Sequence, residues 1–237
     1  MGVEQYNCDI DGIKFTVIDT PGLCDDVDDV NDDKYIKLIQ NEVESIDCVL
    51  FVTELSATRV TSDEKRGIKL ITQSLTSKIW NNSVIVFTFA NQIPPERYRE
   101  ALSKRSELIR AEVIKNTSNS KHYEIPTVAI DNNSENTPDG KSWLGELFVK
   151  VLSMVSNEGA IPFLMATASS VKPNEQGNSR IKLNEEQKQE VKRTIDAKII
   201  PGLATTGAAV GMAVAGPIGA AVGAGVGAVV GLFAWLW

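Results

Sequence analysis

The sequence predicts an α/β fold, a three-layer αβα sandwich built on a mostly parallel sheet with one antiparallel edge strand. Three observations predict it. Strand-like and helix-like patterns alternate through residues 1–160. The strand runs are continuous and apolar, as parallel strands covered on both faces require. A two-residue hairpin signal, Asp11-Gly12, sits near the start.

The elements follow in order. Tyr6 to Ile10 and Ile13 to Asp19 are β-prone runs on either side of Asp11-Gly12, and they supply the antiparallel edge. Asp32 to Ile46 carries Tyr35, Leu38, Ile39 and Val43 at helical spacing. Cys48 to Leu55 is an unbroken apolar run that suits a buried strand. Ser62 caps a helix to Leu75 whose Ile68, Leu70, Ile71 and Leu75 turn inward. Ser83 to Ala90 is a second buried strand, and Pro94-Pro95 opens a long helix with Leu102, Leu108, Ile109 and Val113 inside. Ile125 to Ile130 is the next strand, and Ser142 to Val155 a helix rich in Leu, Phe and Val.

Composition narrows the class. The apolar fraction of 43% is that of a globular protein. A net charge of −7 excludes general nucleic-acid binding, which needs a basic footprint. Cys8, Cys24 and Cys48 lack metal-type spacing and read as free thiols. His122, the one histidine, has no partner motif and reads as a surface residue. The acidic run Asp25, Asp26, Asp28, Asp29, Asp32 and Asp33 lacks the ligand order of a calcium loop and reads as solvated.

Ligands of such sheets bind where the strands end, so the residues following each apolar run are the candidates. Asp19-Thr20-Pro21-Gly22 follows the first. An aspartate there can hold Mg²⁺ through water, and the glycine lets its backbone N–H approach a terminal phosphate. The bland alternative is a turn, since Asp, Pro and Gly all favour turns. Thr88-Phe89-Ala90-Asn91 ends the second run, where a guanine-reading motif belongs. A carboxylate usually accepts from two guanine donors; Asn91 offers an amide, a weaker and less discriminating contact. After the third run, Asp131-Asn132-Asn133 can close over the base from the other side. Each of the latter two also reads as an ordinary strand-ending turn, and it is their order along the chain that lifts all three.

Leu55 to Glu64, read as Leu-Ser-Ala-Thr-Arg-Val-Thr-Ser-Asp-Glu before an amphipathic helix, resembles the box that marks one GTPase family. That family joins the immunity-associated, avirulence-induced-gene type nucleotide-binding proteins to the chloroplast-import (Toc) receptor GTPases. Thr88 to Asn91 and the pair Asn132-Asn133 are similar to its divergent base-binding motifs, and Asp139 to Leu144 to the lead-in of its final helix. The resemblance covers roughly residues 3–156 and implies a P-loop GTPase-like fold. It also implies GTP or GDP with Mg²⁺ at Asp19, and slow hydrolysis coupled to dimerisation across the nucleotide face. Leu23 follows Gly22 where Ras-like enzymes place a water-orienting glutamine, so no catalytic residue is assigned.

Only 18 residues precede Asp19, and the hairpin fills them. The first strand, the phosphate loop, its lysine and its Mg²⁺-binding hydroxyl are therefore expected to be missing. Gly140-Lys141-Ser142 does not replace them: Glu135 stands where the loop glycine is required, and no apolar strand leads in. Nucleotide and Mg²⁺ binding are then expected to be weak or absent. Two readings remain, an incomplete GTPase and a pseudo-GTPase scaffold.

Beyond residue 160 the expectation is a polar linker over 161–198 with an amphipathic helix carrying Val191, Ile195 and Ile199. Residues 199–237 hold no charge and repeat Gly207, Gly211, Ala215, Gly219, Gly223, Gly227 and Gly231 every fourth position. On a helix that spacing makes a smooth glycine-zipper stripe, as in membrane helix pairs, with Trp235 and Trp237 suited to an interface and Pro217 able to split it into a hairpin. The alternative is a Gly/Ala-rich tail in water. Lys192, Arg193 and Lys198 before the tail favour a cytosolic position, which predicts a protein on the cytosolic face of a membrane. The expected partners are guanine nucleotide, the membrane and a second copy of the chain. The rival from another class is a nucleotide-independent scaffold that oligomerises through its tail; a pore-forming tail is a third.

Overall fold

The computed structural model describes residues 4–10, 12–19, 37, 40 and 46–199. The expected helix over Asp32 to Ile46, residues 20–22 of the first strand-end motif, and all of the tail after Ile199 lie outside them or nearly so. Two compact units divide the chain, most of the first lying before Leu144 and most of the second after it.

The first unit holds a three-stranded parallel sheet in the order β3 (Val49–Glu54), β4 (Ser83–Thr88), β5 (Thr127–Ala129). The register pairs Phe51 with Ile85 and Phe87 with Ala129. β4 is the central strand, and its first five residues are buried, as its unbroken apolar sequence demands. β3 corrects the expectation of a fully buried strand. Phe51 is buried, while Leu50 and Val52 are 47% and 57% exposed, because successive side chains of a strand point to opposite faces and the Phe51 face is the one packed on the core of this unit.

Helix α1 (Ser62–Leu75) and helix α2 (Pro95–Thr117) follow β3 and β4. The cap of α1 is Thr61, not Ser62: its hydroxyl accepts from Glu64 N at 3.2 Å, and Glu64 accepts from Thr61 N at 2.8 Å. The Thr-x-x-Glu spacing satisfies two backbone donors reciprocally, which a cap one residue later could not do. Ile68, Trp80, Ile85, Phe87, Ile109 and Val113, all fully buried, centre the core of this unit.

The hairpin forms as predicted over β1 (Glu4–Ile10) and β2 (Ile13–Asp19), with Gly12 at φ 83° and Thr16 donating to Asn7 at 2.9 Å. It stands as a separate two-stranded sheet, not as an edge of the parallel one. Every residue of β1 is exposed, so burial gives it no side to register against a neighbour.

The second unit is helical: α3 (Trp143–Met154), α4 (Asn157–Val171) and α5 (Glu185–Lys198). α4 was not foreseen; Pro162 within its first two turns disguises a segment whose Leu164, Ala168 and Val171 are buried. Phe148 stacks on Phe163 at 5.6 Å between centroids, and Leu152, Val191 and Ile195 fill the same core. Gly145 is obligatory here, since a Cβ would lie 2.3 Å from the Lys182 carbonyl oxygen. Lys150 bridges α3 to Glu190 of α5 at 3.0 Å. Burial opposes its charge, but Glu190 and Glu146 outweigh that and hold its pKa above 10.5. Ile199, read as the first residue of the tail, is buried against this core. Among the described residues no helix is long and apolar enough to cross a membrane.

Candidate functional site

The ends of β3, β4 and β5 come together because the strands are parallel and in register. The lacing continues past the ladder: Leu55 N donates to Thr88 O at 3.1 Å, Ile130 N to Phe87 O at 2.8 Å, and Ala90 N to Ile130 O at 3.1 Å. The two sequence motifs after β4 and β5 are thereby neighbours. Thr88 ends β4 with its hydroxyl 3.4 Å from Thr53 O. Phe89 then adopts a left-handed conformation, φ 58° and ψ 38°, which a β-carbon residue takes only at a cost.

What holds that turn is Asn132. Its Oδ1 accepts from Phe89 N at 2.8 Å, joining the β5 loop to the β4 loop directly. This bond commits the Asn132 carbonyl oxygen to the protein and shapes the turn. Asn91 lies on the short helical turn that follows Phe89 and is exposed. Asn133 is set by Asp131, whose buried carboxylate accepts from Asn133 N at 2.8 Å and Ser134 N at 2.9 Å. Trp143 Nε1 donates to Ser134 O at 2.7 Å and fixes the far side of the same loop. The lead-in reads as a turn with Gly140 at φ 81°, and Thr137 N donates to Lys141 O at 2.9 Å.

Asp19 is the last, exposed residue of the hairpin sheet, and Thr20, Pro21 and Gly22 lie outside the described residues. No three His, Cys, Asp or Glu side chains converge among the described residues. Asp19 alone fits Mg²⁺ only in the way this ion commonly binds, through one carboxylate with water and phosphate oxygens completing its octahedron.

The sequence reading missed Arg105. It is 1% exposed, on the inward face of α2, and its guanidinium gathers the segment resembling the family box. Nε donates to Glu54 O at 3.0 Å, Nη1 to Arg59 O at 3.0 Å, and Nη2 to Thr53 Oγ1 at 3.1 Å. The same Nη2 pairs with the Glu64 carboxylate, which also accepts from the Thr53 hydroxyl. Glu64 thus serves a helix cap and a buried ion pair at once. The signal was present: Arg105 lies between Leu102 and Ile109 on the apolar stripe of its helix.

His122 is also corrected. It is 2% exposed, its Nδ1 2.8 Å from Thr117 Oγ1 and its Nε2 3.3 Å from Asn119 Nδ2, and burial lowers its pKa below 6.5. The short helical turn over Ser120–Glu124 packs the ring against the end of α2, so isolation in sequence did not mean exposure.

Comparison with known proteins fits this geometry. The sequence pattern of the AIG1 family matches residues 1–183. Translocase of chloroplast 34 of Pisum sativum is 30% identical over 169 residues, covering 65% of this chain and 54% of that protein. The chain thus spans about half the length of this curated relative. Among solved structures, Toc33 of Arabidopsis thaliana in complex with GDP and Mg²⁺ is 25% identical, with a TM-score of 0.55 over 64% of this chain and 69% of that one. A dimerization-deficient mutant of the same protein gives a TM-score of 0.56 at 25% identity, over 64% and 68%. The likeness extends to the fold: a mixed α/β arrangement around a parallel sheet.

Proposed function

Because this chain belongs to the AIG1 family, we propose that it is a guanine-nucleotide-binding switch protein, with slow GTP hydrolysis coupled to dimerisation and a C-terminal membrane anchor. The observation that carries the reading is the bond from Phe89 N to Asn132. It joins the loops after β4 and β5 at the sheet end where ligands of α/β sheets bind. In this reading Thr88 and Asn91 meet the base from one side, and Asn132 and Asn133 support the wall on the other. Asp19, Thr20, Pro21 and Gly22 serve the phosphates and Mg²⁺. The similar Arabidopsis protein was solved with GDP and Mg²⁺, and dimerization is a property named for it, which supports both halves of the proposal.

The full architecture we propose is the three-layer P-loop GTPase sandwich over residues 1–160, followed by 161–198 and an uncharged glycine-zipper segment over 199–237. The support for an anchor is in sequence: 39 uncharged residues preceded by Lys192, Arg193 and Lys198, a pattern that favours the cytosolic face. These 237 residues contain no G-x-x-x-x-G-K-[ST], so weak binding is the expectation for this stretch tested by itself.

The test is titration with fluorescent GDP and fluorescent ADP, each with Mg²⁺. It uses the chain alone and the chain with a strand and phosphate-loop segment joined ahead of residue 4. Weak binding that prefers guanine, and rises at least about a hundredfold with the added segment, is expected. Equal, unselective binding of both nucleotides by both forms would instead favour the nucleotide-independent scaffold.

A further inference from the structure

A cleft of about 310 Å³ lies between α2 and the segment that leads from Tyr123 into β5. Its helical wall includes Arg99, Leu102, Glu107 and Arg110, and its other wall includes Tyr123 and Thr127. Arg99, Ser103, Ser106 and Arg110 recur at spacings of four, three and four and so share one stripe of α2, with Leu102 and Glu107 flanking it on either side.

The charges in this cleft are set for a ligand. Arg110 is half-buried and anchored by one bond, Nε to Ile125 O at 2.8 Å. Its terminal nitrogens make no hydrogen bond to a described residue. Burial lowers its pKa from the ordinary guanidinium value, with Tyr123 and Glu107 acting in the opposite sense. A guanidinium never loses its charge in a protein, so here a cation is kept partly out of water with its fork open. Arg99 is exposed and forms no ion pair with a described carboxylate. Tyr123, 52% exposed, offers a flat apolar surface beside them.

Glu107 decides the kind of ligand. A carboxylate inside the cleft works against a compact dianion such as phosphate, and a net charge of −7 works against an anionic lipid surface. A chain carrying separated charges of both signs meets neither objection. Arg99 and Arg110 are eleven positions apart, about 16 Å along the helix, which an extended peptide spans in about five residues. Glu107 lies about 4.5 Å before Arg110 on the same axis.

We propose that this cleft docks an extended peptide segment of a partner protein, with one acidic residue opposite Arg99 and a base–acid pair opposite Glu107 and Arg110. The flat ring of Tyr123 supports the segment between its charged ends. The heptapeptide Ac-Glu-Ala-Thr-Ala-Lys-Ala-Glu-NH₂ carries its three charges at odd positions, so that they share one face of an extended chain, and Ac-Lys-Ala-Thr-Ala-Glu-Ala-Lys-NH₂ is its charge inverse.

Both peptides are titrated into the full chain at low salt while the Arg110 Nε–Hε and Tyr123 ring resonances are followed by NMR. The first should give saturable shifts at both residues, and the inverse none. Arg99→Glu, at an exposed position where the fold is undisturbed, should weaken the first peptide at least about fivefold. Tyr123→Ala should weaken it by a smaller factor. Four results would overturn the proposal. These are no saturation up to about 5 mM, where two ion pairs on one peptide should register, equal response to both peptides, no effect of Arg99→Glu, or binding of phosphatidylserine vesicles through the cleft in place of the peptide.

Discussion

Two loops leave the same end of the parallel sheet, and they are held by opposite means. The segment after β3 is gathered onto a buried cation: Arg105, 1% exposed, takes three carbonyl or hydroxyl oxygens and the Glu64 carboxylate. The loop after β4 is held by neutral bonds near the surface, chiefly the one from Phe89 N to Asn132 at 2.8 Å. The first arrangement is costly to disturb, because removing either partner strands a charge in the interior. The second is cheap to disturb, which suits a wall that must admit and release a base.

The contrast can be broken most forcefully at Arg105. Arg105→Ala should cost about 3–5 kcal/mol of unfolding free energy in urea titration, the range for an orphaned buried partner. A loss under about 1 kcal/mol would mean that water already satisfies the network. Asn132→Ala should cost only about 1 kcal/mol, one hydrogen bond plus release of the left-handed turn at Phe89. On the proposed function it should also weaken guanine binding more than it weakens the fold. Asn91→Asp should leave the denaturation midpoint unchanged and tighten GDP about fivefold, since a charged acceptor adds roughly 1 kcal/mol over an amide.

The smallest effect is expected at the end of α2. Burial depresses the pKa of His122 in the folded state below its ordinary 6.5. Below pH 6.5 the unfolded chain takes a proton that the folded chain refuses, so stability falls as pH drops from 6.5 toward the folded value. Thermal unfolding measured at a series of pH values should show that slope, and His122→Gln should remove its share of it. A slope identical in the variant would place the titrating group elsewhere.

The same contrast explains what was legible in the sequence. The apolar runs that became β3, β4 and β5 and the stripes of α1 and α2 are local patterns, and local patterns survive reading along a line. Pro94-Pro95 opened α2 where expected because a fixed φ suits a first helical turn. Arg105 was passed over and His122 misjudged because a charged or titratable side chain in sequence looks solvated until its partners are known. Glu54, Arg59 and Thr53 lie roughly fifty residues from Arg105. α4 was hidden by Pro162, although the helix tolerates it in its second turn. The exposed face of β3 was hidden because a strand packed on one face and a strand packed on both share the same residue types. Of the candidate site, the adjacency of the loops after β4 and β5 was legible from their place at the strand ends, but the bond made by Asn132 was not. Its carbonyl completes a turn, which no residue-type rule distinguishes from reaching for a ligand.

The division of labour between the two loops is tested most directly by amide NMR of the full chain titrated with GDP and Mg²⁺ to millimolar concentration. The account predicts that the largest shifts fall on Phe89, Ala90, Asn91, Asn132 and Asn133, while Thr53, Glu64 and Arg105 stay in place. Shifts centred on the Arg105 network, or none at the Phe89 and Asn132 loops, would contradict it.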